Sequence, residues 1–369
     1  MIRFILTWLL LSWSWLVSAY HPDQKSSPQT RSYVFYLGTY TNGESKGIYK
    51  YLLKEDGTIQ SQGLQAETSN PSYLAFSTDH RFLMAVNEND PGTVSVFSVE
   101  PDTLLFHGSQ PSGGDFPCYV SVNPDGQVLT ANYGSGTVGL LALETDGRLS
   151  PLLDVQKHHD GDLRPHAHCA MFYPGTRHVI AADLGTNRLW FSELDPAEKK
   201  LTPGPQKPLE MPKGSGPRHF VLFQDHQILY VANELGNTVS VVEKTPASGW
   251  QLLTTCSTLP AGFQGTSYVA DLHLSPDNRF LYVSNRGSNT LAVFDVSDDG
   301  KSLELLYVEP VHGNWPRSFA ITPDGHFLVA ANQKSNDLTV FQRDISTGRL
   351  EFIGKTAAPS PVCVLFYSK

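Results

Sequence analysis

Five residues able to do acid–base or anion-binding chemistry stand roughly one repeat length apart or in register with each other: His168, Arg218, Glu234, Arg286 and Arg317. An imidazole and a carboxylate can move a proton to or from a reacting group. Guanidiniums can hold the oxyanion that develops when water attacks an acyl carbon. The set suits hydrolysis of an ester-type bond if the fold gathers residues so distant in the chain. A repeating fold with a period of about 50 residues would do so.

The chain does repeat. A Pro-containing entry, an apolar strand, a turn bearing Asp or Gly, and a second apolar strand ending in Asn or Asp recur over 69–99, 114–143, 164–194, 215–244, 267–296 and 314–343. The strand-ending anchors are Asn87, Asn132, Asp183, Asn233, Asn285 and Asn332. A strand-only repeat of this length predicts an all-β fold, a β-propeller. Two fragments remain, 33–53 and 359–367. The first reads as second and third strands without a first, the second as a first strand alone. Together they complete a seventh blade, so that N- and C-terminal strands share one blade and close the ring. Closure removes the exposed edge of an open ring. Asp125-Gly126 and Asp324-Gly325 predict tight hairpins. Fourth strands are expected at 104–108, 149–155, 249–255, 302–308 and 349–355.

Equivalent positions then align across blades. First strands open at Pro71, Pro117, Ala167, Pro217, Val269, Pro316 and Pro361, where proline is tolerated because no ladder donor is needed. The next residues form one ring: Ser72, Cys118, His168, Arg218, Ala270, Arg317 and Val362. Residues following the anchors form a second: Glu88, Tyr133, Leu184, Glu234, Arg286 and Gln333, with Tyr40 approximately equivalent in the first blade. Antiparallel pairing sets the start of a first strand beside the end of a second, so both rings open on one mouth. His168, Arg218, Glu234 and Arg286 are the expected catalytic residues. His166, Arg317, Glu88, Tyr133 and Gln333 are the expected substrate contacts. Strand alternation turns His219 to the other face as a packing residue. The Asn anchors and turn aspartates are expected to brace the repeat.

The rest of the composition bounds the function. The chain has 369 residues, 40% of them hydrophobic, and a formal charge of −9 with no basic run. That argues against nucleic acid or an anionic membrane as partner. The charge leaves room for an anionic small molecule as partner, since arginines can cluster locally in an acidic chain. Arg3, the apolar stretch 4–17 and Val17-Ser18-Ala19 read as a signal peptide over 1–19. A polar linker over 20–32 follows, then the propeller over 33–369. Export to the periplasm or the exterior is expected, with no membrane attachment after cleavage. Cys118, Cys169, Cys256 and Cys363 lack metal-site spacing and read as free thiols. His166 and His168 share a strand face and could meet Asp160 or Asp162 around zinc. However, His158 and His159 lie in a loop without fixed geometry, and no metal or cofactor is assigned. Gly134-Ser135-Gly136 precedes no helix and is not a phosphate loop.

Several motifs, in order, resemble the seven-bladed lactonase family, which includes the propeller-type 6-phosphogluconolactonase and the fungal carboxy-muconate lactonizing enzyme. They are Tyr36-Leu-Gly-Thr-Tyr-Thr41, Pro165-His-Ala-His168, Gly216-Pro-Arg-His219, Val231-Ala-Asn-Glu234 and Val283-Ser-Asn-Arg-Gly287. The resemblance runs from about Tyr33 to the C-terminus. It implies a metal-independent site of one His, two Arg and one Glu, which fall on His168, Arg218, Glu234 and Arg286. It also implies lactone hydrolysis of the 6-phosphogluconolactonase type. The alternatives are a lactone-forming cycloisomerase of the muconate type and an exported propeller that binds without turnover.

Overall fold

A computed structural model describes residues 31–224 and 226–367. The expected signal peptide and nearly all of the linker lie outside the described residues. Every regular element within them is a strand, and the strands form seven antiparallel sheets. Blade two shows the plan: Pro71–Phe76 innermost, then Phe82–Asn87, Thr93–Val99 and Leu104–Pro111. The innermost strands of blades three to seven are Pro117–Val122, Ala167–Phe172, Pro217–Leu222, Tyr268–Leu274 and Pro316–Ile321.

Blade one closes the ring as expected. Its innermost strand is Pro361–Tyr367, paired with Ser32–Thr39, followed by Gly47–Lys54 and Ile59–Glu67. The closure is well packed. Phe35, Leu37, Tyr51 and Val364 of blade one share a buried cluster with Phe327, Val329, Leu338 and Val340 of blade seven. Each such side chain contributes about 1.5–3 kcal/mol when fully buried. The Tyr33 hydroxyl also donates across this junction to Asp324.

Two outer strands are irregular, one shorter than the expected 149–155 and one in blade four where none was expected, and proline is the reason. In blade three the fourth strand is only Asp154–Lys157, and Leu149 makes an isolated bridge to Leu143. Pro151 stands between and supplies no ladder donor. Blade four has a split edge, Lys200–Pro203 and Leu209–Glu210, interrupted by Pro203, Pro205 and Pro208. The fourth strand of blade one, Ile59–Glu67, was not anticipated.

One backbone device recurs in all seven blades. Pairing of the innermost strand slips by one residue just after its first position, as between Pro117/Tyr119, Ala167/Cys169, Pro217/Phe220 and Val269/Leu272. Blade one does the same opposite Gly38/Thr39. The extra residue is a β-bulge, which re-aims side chains. It coincides with the first ring in every blade.

Candidate active site

The second ring is locked to the bulges by backbone bonds. Tyr40, Glu88, Tyr133, Leu184, Glu234 and Gln333 donate their N–H groups to the carbonyls of Ser360, Asn70, Phe116, His166, Gly216 and Trp315. Each acceptor lies two residues before a first-ring residue, so both rings meet at one level. At Gly216 φ is +62°, and a Cβ would sit 2.7 Å from Leu235 Cγ. Glycine there lets the chain turn into Pro217 and Arg218.

The two rings meet in three groups. In blades five and six, Glu234 Oε2 lies 3.1 Å from Arg218 Nε and 2.8 Å from Arg286 Nη2. Arg218 Nη1 donates to Ala270 O, and Arg286 Nη2 donates to Val269 O at 3.0 Å. The Nε groups of both arginines are buried and make no well-aligned hydrogen bond within the described protein. Arg218 Nε is thus an ion-pair partner of Glu234 by distance but is misdirected for a hydrogen bond. Burial lowers both guanidinium pKa values, that of Arg286 to about 10, against the opposing pull of Glu234.

In blades three and four, His166 stacks on Tyr133 with centroids 4.4 Å apart, and its Nδ1 lies 2.8 Å from Tyr133 O. Tyr133 meets the His168 ring edge-on at 5.7 Å. His168 is buried, and its Nδ1 has no hydrogen-bond partner within the described protein. Burial, then the Arg218 charge, hold its pKa well below the usual imidazole value, so the ring is neutral near pH 7.

Across the mouth, Tyr40 donates to Glu88 Oε2 at 2.8 Å and Arg317 Nη2 lies 3.7 Å from the same oxygen. The Arg317 guanidinium stands 5.3 Å from the Tyr40 ring centroid. Gln333, half-buried, enters the site through its backbone bond to Trp315. Eight of the nine expected residues thus meet in these groups through their side chains, Gln333 being placed only by its backbone bond, and Arg317 and Glu88 form a pair separate from the Arg218–Glu234–Arg286 cluster.

Sequence reasoning missed or misplaced four residues. His219 does not turn away: its ring is 5.1 Å from that of His168, and Asp271 Oδ1 accepts from its Nδ1 at 3.0 Å. The bulge at Arg218 breaks the alternation on which the opposite expectation rested. Asp271, itself just past a bulge, was overlooked; a carboxylate amid apolar strand residues was its signal. Trp315 lies 5.6 Å from the Arg286 guanidinium and 3.2 Å from Lys334 Nζ. Its φ of +68° before a proline marks it as strained. His158 is not loosely placed: it is fully buried, bonded through Nδ1 to Asp183 at 2.7 Å and stacked on Trp190 at 4.6 Å.

Asp160 pairs with Arg188 at 2.8 Å. No cluster of three His, Cys, Asp or Glu suited to a metal occurs among the described residues. Concavity alone does not mark the site. A groove of about 400 Å3 between blades four and five, lined by Tyr173, Phe191, Lys244 and Trp250 among others, contains no carboxylate. The mouth is distinguished by its convergent charges.

Comparison with known proteins agrees with this fold. A family model described as lactonase, 7-bladed beta-propeller, matches residues 34–366. The 6-phosphogluconolactonase of Bacillus subtilis is 36% identical over 348 residues, spanning 90% of this chain and 98% of its own. The periplasmic gluconolactonase of Pseudomonas aeruginosa superposes with a TM-score of 0.87 at 33% identity, over 92% of this chain and 99% of the other. A Lactobacillus plantarum protein superposes with a TM-score of 0.85 at 32% identity, over 92% and 100%. With closed seven-blade topology and a family match across nearly every described residue, the chain belongs to the seven-bladed β-propeller lactonase family.

Proposed function

We propose that the mouth hydrolyses a sugar-type lactone, an anionic one included, with His168, Arg218, Glu234 and Arg286 as the catalytic residues. The observation that carries this is Glu234 Oε2 clamped between two buried guanidiniums while a neutral His168 stands at the same mouth. The His168 imidazole takes a proton from water as the water oxygen bonds to the lactone carbonyl carbon. Arg218 and Arg286 hold the resulting oxyanion. Collapse breaks the ring C–O bond, and the leaving alkoxide takes the proton back from His168. The balance is lactone plus water giving a hydroxy acid. Glu234 holds the two guanidiniums in place, and Arg317, Glu88, Tyr133, His166 and Gln333 line the approach. Run in reverse, the same groups would close a lactone, so the assay must follow both directions.

We also propose that the protein is exported, with residues 20–32 as linker and 33–369 as the mature propeller. Arg3, the apolar stretch 4–17 and Val17-Ser18-Ala19 support this, as does similarity to a periplasmic gluconolactonase. The deciding experiment offers the purified propeller a panel of lactones, including glucono-1,5-lactone and its 6-phosphate, and measures acid release. Faster acid release than in buffer supports the proposal; the buffer rate for every lactone rejects it. N-terminal sequencing of the native protein should find a start near Tyr20, and an intact Met1 would reject export.

A further inference from the structure

Beneath the mouth, the channel is plugged by side chains. Tyr73 and Tyr119 stack at 4.3 Å, and the His219 ring lies 5.7 and 5.3 Å from them. Asp271 is the acid of this plug, and it is 3% exposed. Its Oδ1 accepts from His219 Nδ1 at 3.0 Å and from Leu272 N at 3.1 Å. Its Oδ2 accepts from His273 Nε2 at 3.2 Å and from Phe319 N at 3.4 Å. With a carboxylate on Nδ1, that nitrogen carries the proton.

His219 in turn touches Arg218. Nη1 lies 3.3 Å from Nδ1 and 3.2 Å from Nε2 of the ring. Equidistance from both nitrogens places Nη1 over the imidazole face rather than on either lone pair. A cation over an aromatic face is held electrostatically. The mouth's charges make this support necessary. Arg218 and Arg286 share the single Glu234 carboxylate, while Glu88 faces Arg317. Asp271 is the third carboxylate for three guanidiniums, and its charge favours the protonated form of Arg218. An unbalanced buried guanidinium would be strongly disfavoured.

We propose that Asp271 and His219 are positioning residues, with Asp271 acting through the His219 ring to hold the Arg218 guanidinium against Glu234 from the channel floor. This rests on the hydrolytic reading of the mouth only for its kinetic consequence. When substrate charge competes for Glu234, Arg218 keeps its orientation because the His219 ring supports it from below, beside the hydrogen bond to Ala270 O.

The test uses Asp271→Asn and His219→Leu in the whole propeller. Leu fills most of the imidazole volume beside Tyr73 and Tyr119 but gives Asp271 no donor and Arg218 no aromatic face. Crystal structures should show the Arg218 guanidinium moved off Glu234 in each variant. Turnover of glucono-1,5-lactone should fall roughly 10²-fold, the scale expected for an ångström of misplacement, with KM changing far less than kcat. In an Arg218→Ala background, Asp271→Asn should add little, because the two act as a unit. Should Asp271→Asn fail to fold, His219→Leu carries the same comparisons. Arg218 unmoved with full kcat in either folded variant overturns the proposal, as does a loss that multiplies in the Arg218→Ala background. If the wild type turns over no lactone, the hydrolytic reading has failed, and the position of Arg218 in the variant structures still decides this one.

Discussion

At the scale of single residues, the site is an arrangement of buried charges around one neutral imidazole. His168→Ala should lower kcat for lactone hydrolysis by roughly 10²–10⁴-fold, the range for an acid–base group. Arg286→Ala should raise KM and lower kcat together in steady-state assays, because a guanidinium serves ground and transition states alike. The convergence of His168, Arg218, Glu234 and Arg286 was legible because equivalent positions in a repeat can be superimposed by counting. Asp271 and the inward turn of His219 were not, since both depend on a bulge that the residue pattern does not advertise. Trp315 escaped for a related reason: it precedes the strand, and only its backbone conformation places it beside Arg286.

At the scale of the element, each of blades two to seven ends its second strand with an Asn or Asp anchor that bonds a neighbouring loop or the third strand. Asn132 donates to Ser112 O and Thr137, and Asn332 to Asp337 and Thr339. Blade four alone uses Asp183, and His158 explains the exchange: the carboxylate meets a buried imidazole plus the N–H groups of His166 and Thr186. His158→Ala should therefore destabilise the protein by about 3 kcal/mol, near the low end for stranding a buried charge because two backbone donors remain. Adding Asp183→Asn should recover part of that loss in denaturant melts, since asparagine serves the other anchors. No recovery would mean that packing on Trp190, not charge, is what His158 supplies. The inner strands were legible from Pro entries and apolar runs. The outer strands were less so, because edges carry weaker patterns and Pro151, Pro203, Pro205 and Pro208 break two of them.

At the scale of the whole molecule, seven blades and the shared first blade were legible from the period and from two unmatched fragments. Deleting 359–369 removes the strand that pairs with Ser32–Thr39 and exposes the buried cluster around Phe35 and Leu37. The truncated chain should not be recovered as a soluble monomer. A monomer with a native melting transition would contradict ring closure. The buried histidines also set an acid limit on the fold. Burial, then Arg218, lower the His219 pKa to about 4 against the opposing Asp271, while an unfolded histidine titrates near 6.5. Between those values the unfolded chain binds the extra proton, so stability falls as pH drops from about 6.5 to about 4. His168 acts in the same direction. Tm should decline across that window, and less steeply in His219→Phe.

The central claim is that a carboxylate clamped by two guanidiniums is the working centre of a lactonase. It is tested most directly by Glu234→Gln, a nearly isosteric change at a partly exposed side chain. The measurement is kcat for a lactone that the wild type hydrolyses, taken beside Tm. A folded variant with kcat reduced roughly 10²-fold or more is the expected result, its Tm lowered because two buried guanidiniums lose the charge between them. Full turnover by folded Glu234→Gln would contradict it.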